Sequence, residues 1–373
     1  MENNKVYPLE NLLKYEQPTA YIVSSTDYSD AYRTPVLTAG KSFILGYTNE
    51  SEGVFDKLPV IIFDDFTTAT QYVNFKFKVK SSAMKILHIN SELVTPKYIF
   101  YRMQTIQFDH STHKRYWIQQ YSKIKISVPP IHEQERIVAR IEKLFSELDK
   151  AVETLKTTKQ QLAVYRQAVL KEAFKKCDKT VTVESVCQHV TDGDHMPPPK
   201  TPSGVPFIMI SNIDNQVINW TNTAYVGQDY YNHIDNKRRP CKGDVLYTVT
   251  GSYGVPVLID FEKQFCFQRH IALLRPNERI NQKFLYYVMQ EPGVYAQATK
   301  MATGTAQKTV GLAVLRKMEI PYIESINVQL EIVKKIKTRM STCDGIEETV
   351  DTALQQAEVM RQSILKQAFE GRL

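Results

Sequence analysis

Apolar positions recur every three or four residues through two long stretches of the chain. In the first stretch, Ile137, Ile141, Leu144, Leu148, Ala151, Leu155, Leu162, Tyr165 and Val169 form a stripe interrupted only at Thr158. In the second, Ile332, Ile336, Cys343, Ile346, Val350, Ala353, Ala357, Met360 and Ile364 repeat it less regularly, with Arg339 and Gly345 as blemishes. This alternation predicts two helices of roughly 40 residues, each about 60 Å long, with a coiled-coil seam. One apolar stripe of that length needs a partner, and the other copy matches it in length. Because each copy follows a globular segment, an antiparallel intramolecular pair is expected. Gly345 costs about 1 kcal/mol relative to alanine in a helix interior and marks the point where the second helix is expected to bend or loosen.

The two stretches are also copies in their polar residues. "YRQAVLKEAF" at Tyr165–Phe174 returns as "MRQSILKQAF" at Met360–Phe369, an offset of 195 residues (360 less 165). The same offset carries Gln134, Gln160, Gln161, Arg166, Gln167 and Lys171 onto Gln329, Gln355, Gln356, Arg361, Gln362 and Lys366. Packing along the predicted seam does not dictate these positions. Gln134, Arg166, Gln167 and Lys171, with Gln329, Arg361, Gln362 and Lys366, are therefore read as a surface offered twice to an outside partner.

Between and before the helices the pattern changes to short apolar runs separated by Gly- and Pro-containing turns. "PVIIF" at 59–63, "PFIMI" at 206–210, "DVLYTV" at 244–249 and "HIALLRP" at 270–276 read as strands. Late in each segment lies a helix-like stretch, "KYIFYRMQ" at 97–104 and "KFLYYVMQ" at 283–290, followed by a polar loop and an apolar strand. The predicted fold class is mixed α/β (α+β), with two pseudo-symmetric globular domains, each followed by a long helix. The expected boundaries are 1–130 and 179–322 for the domains, and 131–178 and 323–373 for the helices.

Composition narrows the class. The chain has 373 residues, 43% of them hydrophobic and 23% charged, and no apolar run near the ~20 residues of a membrane span. Without a secretion signal in "MENNKVYPLENLLKYEQ", the expected location is cytoplasmic. Cys177, Cys187, Cys241, Cys266 and Cys343 are odd in number and form no CxxC pair, which argues against a disulfide framework or a zinc site. A formal net charge of +7 permits a polyanionic partner without requiring one.

Four loops carry residues suited to nucleic acid. His113, Lys114 and Arg115, beside Tyr116 and Trp117, and Thr305, Gln307 and Lys308 at the corresponding place in the second half, supply phosphate donors and base-edge readers. "TVTGSYGVP" at 248–256 adds Ser252 and Tyr253 between two glycines, and "NKRRP" at 236–240 adds Lys237 and Arg238. Each of these also reads as a solvated loop or a turn.

Catalytic signatures fail one after another. "TAGKS" at 38–42 lacks the second glycine of a phosphate-binding loop, since Pro35 stands where it belongs. The Pro-Pro segments "VPPI" and "MPPPK" lack the amide or carboxylate of an adenine-methylating site. Asp64 and Asp65 read as strand-end turn formers, and "DGDH" at 192–195 as a turn without a second ligand cluster. No catalytic residue and no metal ligand is assigned.

Variable globular segments alternate with long helices, "PPIHEQERIVARIEKLFSELD" lies mid-chain and "RQSILKQAFEGRL" ends the sequence. With "RTPVLTAGKSFILGYT" and "VTDGDHMPPPKTPSGVPFIMISNI" in the two halves, essentially the whole chain resembles the specificity subunits of Type I restriction–modification systems. The resemblance implies a non-catalytic subunit whose two target-recognition domains each grip one half of a split, asymmetric sequence in double-stranded DNA. It further implies helices that set the spacing and dock two modification subunits, which use S-adenosylmethionine for adenine-N6 methylation. Two restriction subunits, using ATP with magnesium, would join to cut unmethylated DNA. The entry to the second helix, "IPYIESINVQL", is three residues longer than its counterpart "SVPPIHEQE" between proline and glutamine, which puts equivalence of the two docking sites in question. The alternatives are a standalone metal-dependent nuclease using Asp64 and Asp65, or a structural adaptor that binds only proteins.

Overall fold

The structure is a computed structural model that describes residues 4–40, 42–109 and 115–373. Two compact units divide the chain, one made of residues 1–155 and 352–373 and the other of residues 156–351.

In the first unit, strand β1 (Lys5–Pro8) is followed by a single turn of helix α1 (Leu9–Leu12) and β2 (Leu13–Glu16). Then come β3 (Thr34–Leu37), β4 (Ile44–Thr48), β5 (Val60–Asp64), β6 (Thr70–Val73), β7 (Lys78–Val79) and β8 (Met84–Ile89). Helix α2 (Pro96–Met103) and strand β9 (Lys125–Val128) lead into the first long helix, α3 (Ile131–Phe174). The strands form a sheet of order β2-β8-β5-β6, a smaller sheet β4-β3-β7 in which β3 and β7 run parallel, and the antiparallel pair β1-β9. The run "VIIF" is fully buried because β5 lies inside the first sheet with both faces covered, Ile61 and Phe63 in one apolar cluster and Val60 and Ile62 in another.

The second unit repeats this topology on a different sequence. Its strands are β10 (Lys179–Thr182), β11 (Cys187–Asp192), β12 (Lys200–Thr201), β13 (Val205–Ile208), β14 (Ile213–Asp214), β15 (Val217–Ile218) and β16 (Ala224–Val226). After helix α4 (Gln228–His233) come β17 (Val245–Thr248), β18 (Pro256–Leu258), β19 (Cys266–Phe267) and β20 (Ile271–Pro276). Helices α5 (Gln282–Val288), α6 (Pro292–Met301) and α7 (Leu312–Lys317) precede β21 (Glu319–Tyr322) and the second long helix, α8 (Ile326–Phe369). The sheets have orders β11-β20-β17-β18 and β12-β16-β13-β19, with β10-β21 as the closing pair and β13-β19 parallel. The mixed α/β class and the duplicated domain are thus present in the structure. The segment after the "KFLYYVMQ" helix differs from expectation, because α6 and α7 occupy much of what reads as loop and strand.

Each unit contains part of both long helices, packed antiparallel. In the first, Ile141 and Phe145 of α3 meet Leu365 and Ala368 of α8, and Asp149 pairs with Arg361. In the second, Lys159, Arg166 and Glu172 of α3 pair with Asp351, Asp344 and Arg339 of α8, in descending order. Helix α8 runs without interruption through Gly345, which is exposed and has open space where a Cβ would stand.

The seam itself lies one residue away from the apolar reading at several steps. Ala151 is exposed, and Tyr165, Ile346 and Met360 are 47%, 41% and 53% exposed. Their successors Val152, Arg166, Glu347 and Arg361 are the half-buried positions. The repeat of 3.5 residues passes through charged residues that find opposite charges across the seam, so the seam holds arginines where apolar scoring selects a tyrosine and a methionine.

Candidate nucleic-acid interface and helix surface

In the second unit, the 248–256 and 303–309 loops are neighbours. Thr250 and Thr309 form a β-bridge, the Gly251 N–H donates to Lys308 O at 3.0 Å, and the Val310 N–H donates to Val249 O at 2.8 Å. The 303–309 turn requires glycine at Gly304, where φ is +104° and a Cβ would lie 2.3 Å from Gln307 O. Thr305, Gln307 and Lys308 are exposed on this turn, and Ser252 is exposed on the facing loop.

These loops border a cavity of about 570 Å³, lined among others by Ser211, Thr250, Ser252, Gln268, His270 and Gln307. Every lining residue is uncharged apart from the titratable His270. Burial, with the charge of Arg269, lowers the His270 pKa below its ordinary 6.5, so the imidazole is neutral at physiological pH and offers one donor and one acceptor. Amides, hydroxyls and a neutral imidazole in a concave site suit hydrogen bonding to base edges, while Lys308 beside it suits a phosphate.

The sequence alone does not single out Gln268 and His270, because their role depends on a distant segment. The Asp194 N–H donates to Phe267 O, the Arg269 N–H donates to Asp194 O, and the Gln268 N–H donates to Ile208 O. Gly193 crosses so closely that a Cβ would lie 2.0 Å from Phe267 O. The "DGDH" motif is therefore a brace for the turn that carries Gln268 and His270. Its carboxylates are occupied: Asp192 contacts His195 at 2.8 Å, and Asp194 accepts from the Tyr230 hydroxyl at 2.7 Å.

This brace also accounts for Arg238, which the sequence suggests as a DNA contact. Its guanidinium donates to the carbonyls of Asp192 and Gly193 and lies 3.5 and 3.7 Å from the Asp192 and Asp194 carboxylates. A guanidinium held by two carbonyls and two carboxylates serves the fold, and Arg238 is committed to it instead of to a phosphate. Lys237 remains exposed. The Tyr253 ring stacks on Tyr295 at 5.9 Å and its hydroxyl donates to Thr299, so it buttresses α6 and lines no part of the cavity.

In the first unit, His113 and Lys114 lie outside the described residues. Arg115 is exposed, but Tyr116 and Trp117 are each 1% exposed and belong to the core against Phe108 and Phe63. They are packing residues, not a stacking platform for bases. The backbone of Asp65 accepts from the Tyr116 N–H, and its carboxylate accepts from the Trp117 N–H and faces Lys85 at 3.3 Å, with both charged side chains 1% exposed. Asp64 accepts from the Phe66 and Thr67 N–H groups. Both aspartates are thus bound within the turn, and among the described residues no cluster of three His, Cys, Asp or Glu side chains could hold a metal ion.

The helix residues assigned to a partner divide in two. Gln134 and Gln329 are fully buried and bonded within the chain, and Arg166 and Arg361 are held in the seam by Asp344 and Glu347 and by Asp149. Those four repeat because each copy uses them internally. Gln167, Lys171, Gln362 and Lys366 are exposed. Beside them the helices expose Val164 (68%) and Tyr165, and at the equivalent positions Val359 (71%) and Met360. An apolar pair on an exposed helix face, present twice, is the surface that seam packing leaves unexplained.

Among the described residues, no helix is long and apolar enough to cross a membrane. The family model described as "Type I restriction modification DNA specificity domain" matches residues 1–162 and 180–356. The chain is 31% identical, over 95% of its length and 92% of the relative's, to the EcoR124I/EcoR124II specificity subunit of Escherichia coli. It is 22% identical to the MjaVIII specificity subunit of Methanocaldococcus jannaschii over 86% of this chain and 80% of that one. Two solved structures share the fold across all of this chain. One comes from work on complex assembly and conformational transition of the type I R-M system (TM-score 0.72, 16% identity, 99% of that chain). The other is the HsdS subunit from Thermoanaerobacter tengcongensis (TM-score 0.55, 17% identity, 98% of that chain). With its duplicated domains, paired helices and this match across both halves, the chain belongs to the specificity subunits of Type I restriction–modification systems, which are the non-catalytic DNA-recognition members of those enzymes.

Proposed function

We propose that each globular segment binds one half of a split, asymmetric target in double-stranded DNA, and that the long helices set the number of base pairs between the halves. The helices dock two modification subunits, which use S-adenosylmethionine to methylate adenine at N6. Two restriction subunits, using ATP with magnesium, complete the complex that cuts unmethylated DNA. The chain itself holds no cofactor, and it works in the cytoplasm, where the DNA is.

The observation that carries this reading is the cavity at which the 248–256 and 303–309 loops converge, lined by neutral hydrogen-bonding groups and flanked by Lys308. Hydrogen bonds to base edges distinguish bases, whereas contacts to phosphates grip any sequence. For docking, the support is the exposed pair Val164 and Tyr165 and its copy Val359 and Met360, beside Gln167 and Lys171, and Gln362 and Lys366. The same helical surface offered twice suits two copies of one partner.

The test replaces Gln268 or Gln307 by alanine in the complex with the cognate modification subunit and maps methylated sites. Loss of one base-edge contact should relax discrimination at one position by about 1–3 kcal/mol. The change is expected in one half-site only. An unchanged motif in both variants would remove the cavity from recognition.

A further inference from the structure

Gln134 and Gln329 stand in the first turns of the two long helices, and each is 0% exposed. The Gln134 amide donates to Leu93 O and Pro129 O, both at 2.9 Å, and its oxygen accepts from the Thr95 N–H at 2.8 Å. The Gln329 amide donates to Arg279 O at 3.0 Å and Ile323 O at 2.8 Å, and its oxygen accepts from the Asn281 N–H at 2.7 Å. Thr95 and Asn281 occupy the N-cap positions of α2 and α5. Each glutamine therefore joins the same three pieces: the N-cap residue of the short helix, the carbonyl two residues before it, and the chain entering the long helix.

A primary amide buried with all three bonds made is directional in a way an apolar side chain is not. Apolar contacts permit one surface to slide or turn on another with little change in energy, whereas three bonds at fixed angles define one position. The short helix is gripped from a second side in both units, by Phe369 against Tyr98 at 5.4 Å and by Phe174 against Phe284 at 5.3 Å. Where the seam tolerates substitutions between the copies, such as Phe145 for Met340, the glutamine is kept, although its backbone partners belong to different residues, Leu93, Thr95 and Pro129 in one copy and Arg279, Asn281 and Ile323 in the other.

We infer that Gln134 and Gln329 are positioning residues that lock each globular segment to its long helix and so fix the spacing at which the two DNA halves are read. This rests on the split-target reading above. The joint governs where a recognition domain sits, and the cavity governs which bases it accepts, so the two separate by experiment.

The complex with the cognate modification subunit is supplied with DNA substrates whose half-sites are separated by graded spacers, and methylation is measured on each. Gln134→Leu and Gln329→Leu fill the space without the bonds. Gln134→Glu and Gln329→Glu keep the acceptor and lose the two donations. Val60→Ala and Val245→Ala, buried in the cores of the same two units, are stability controls. The glutamine variants are expected to lower discrimination between the parental spacer and spacers one base pair longer or shorter by about tenfold or more, with unchanged half-site bases. The controls should keep the parental spacing. Parental spacing in all four glutamine variants, or equal widening in the controls, would overturn the inference. So would glutamine variants that fail to accumulate while the controls do, since that is a purely structural role. A parental chain that methylates no split site would instead overturn the proposed function.

Discussion

Asp65 and Lys85 illustrate how a residue that resembles a catalytic group can be committed to the fold. The pair is buried with 3.3 Å between its charges, and the carboxylate also holds the Trp117 N–H. Removing one partner strands the other charge in the interior, so Asp65→Ala is expected to lower unfolding free energy by about 3–5 kcal/mol, read by denaturant melting. A stable Asp65→Ala chain would mean the pair is not held as described. The turn character of Asp64 and Asp65 was legible in the sequence, because Asp at a strand end carries that meaning locally, whereas "DGDH" is extended and bridges to Gln268 instead of turning. The burial of Tyr116 and Trp117 was not, since an aromatic beside a basic residue looks the same whether it faces water or Phe63. Nor was the commitment of Arg238, whose partners lie more than 40 residues away in the chain. Gln268 and His270 were invisible for the same reason: the turn carrying them is aimed by Asp194.

At the scale of elements, the helix pair was legible in period, length and direction, and in phase except at Ala151, Tyr165, Ile346 and Met360. Apolar scoring chose Tyr165 and Met360, because it gives no credit to an arginine whose charge is met across the seam by Asp344 or Asp149. The displaced residues acquire a different role. Val164 and Val359 face outward beside Tyr165 and Met360, so a charge at either position is expected to leave the seam intact. Val164→Glu and Val359→Glu are each expected to change stability by no more than about 0.5 kcal/mol. Each should nevertheless reduce the number of modification subunits bound from two to one, measured by native mass spectrometry. Retention of both subunits in the double variant would remove this face from the docking surface. The strands β5, β13, β17 and β20 were legible as apolar runs, whereas α6 and α7 were not, since short helices of mixed composition carry little periodicity.

For the molecule as a whole, the informative fact is a duplication kept in topology while the sequence diverges. The sheet order β2-β8-β5-β6 returns as β11-β20-β17-β18, and the closing pair β1-β9 returns as β10-β21. The long helices keep Gln134, Arg166, Gln167 and Lys171 as Gln329, Arg361, Gln362 and Lys366. Divergence in loops on a constant frame is what a pair of recognition modules requires if each reads a different sequence while one partner serves both. Tethering two such modules lets each bind weakly while the pair is selective, because the second encounter is intramolecular. The most direct measurement is methylome sequencing of cells that express this chain with its cognate modification subunit, against cells that lack only this chain. N6-methyladenine in a split motif of fixed spacing, present only with the chain, is the expected result. No new methylation, with the partner expressed and bound to the chain, would contradict a DNA-specificity role.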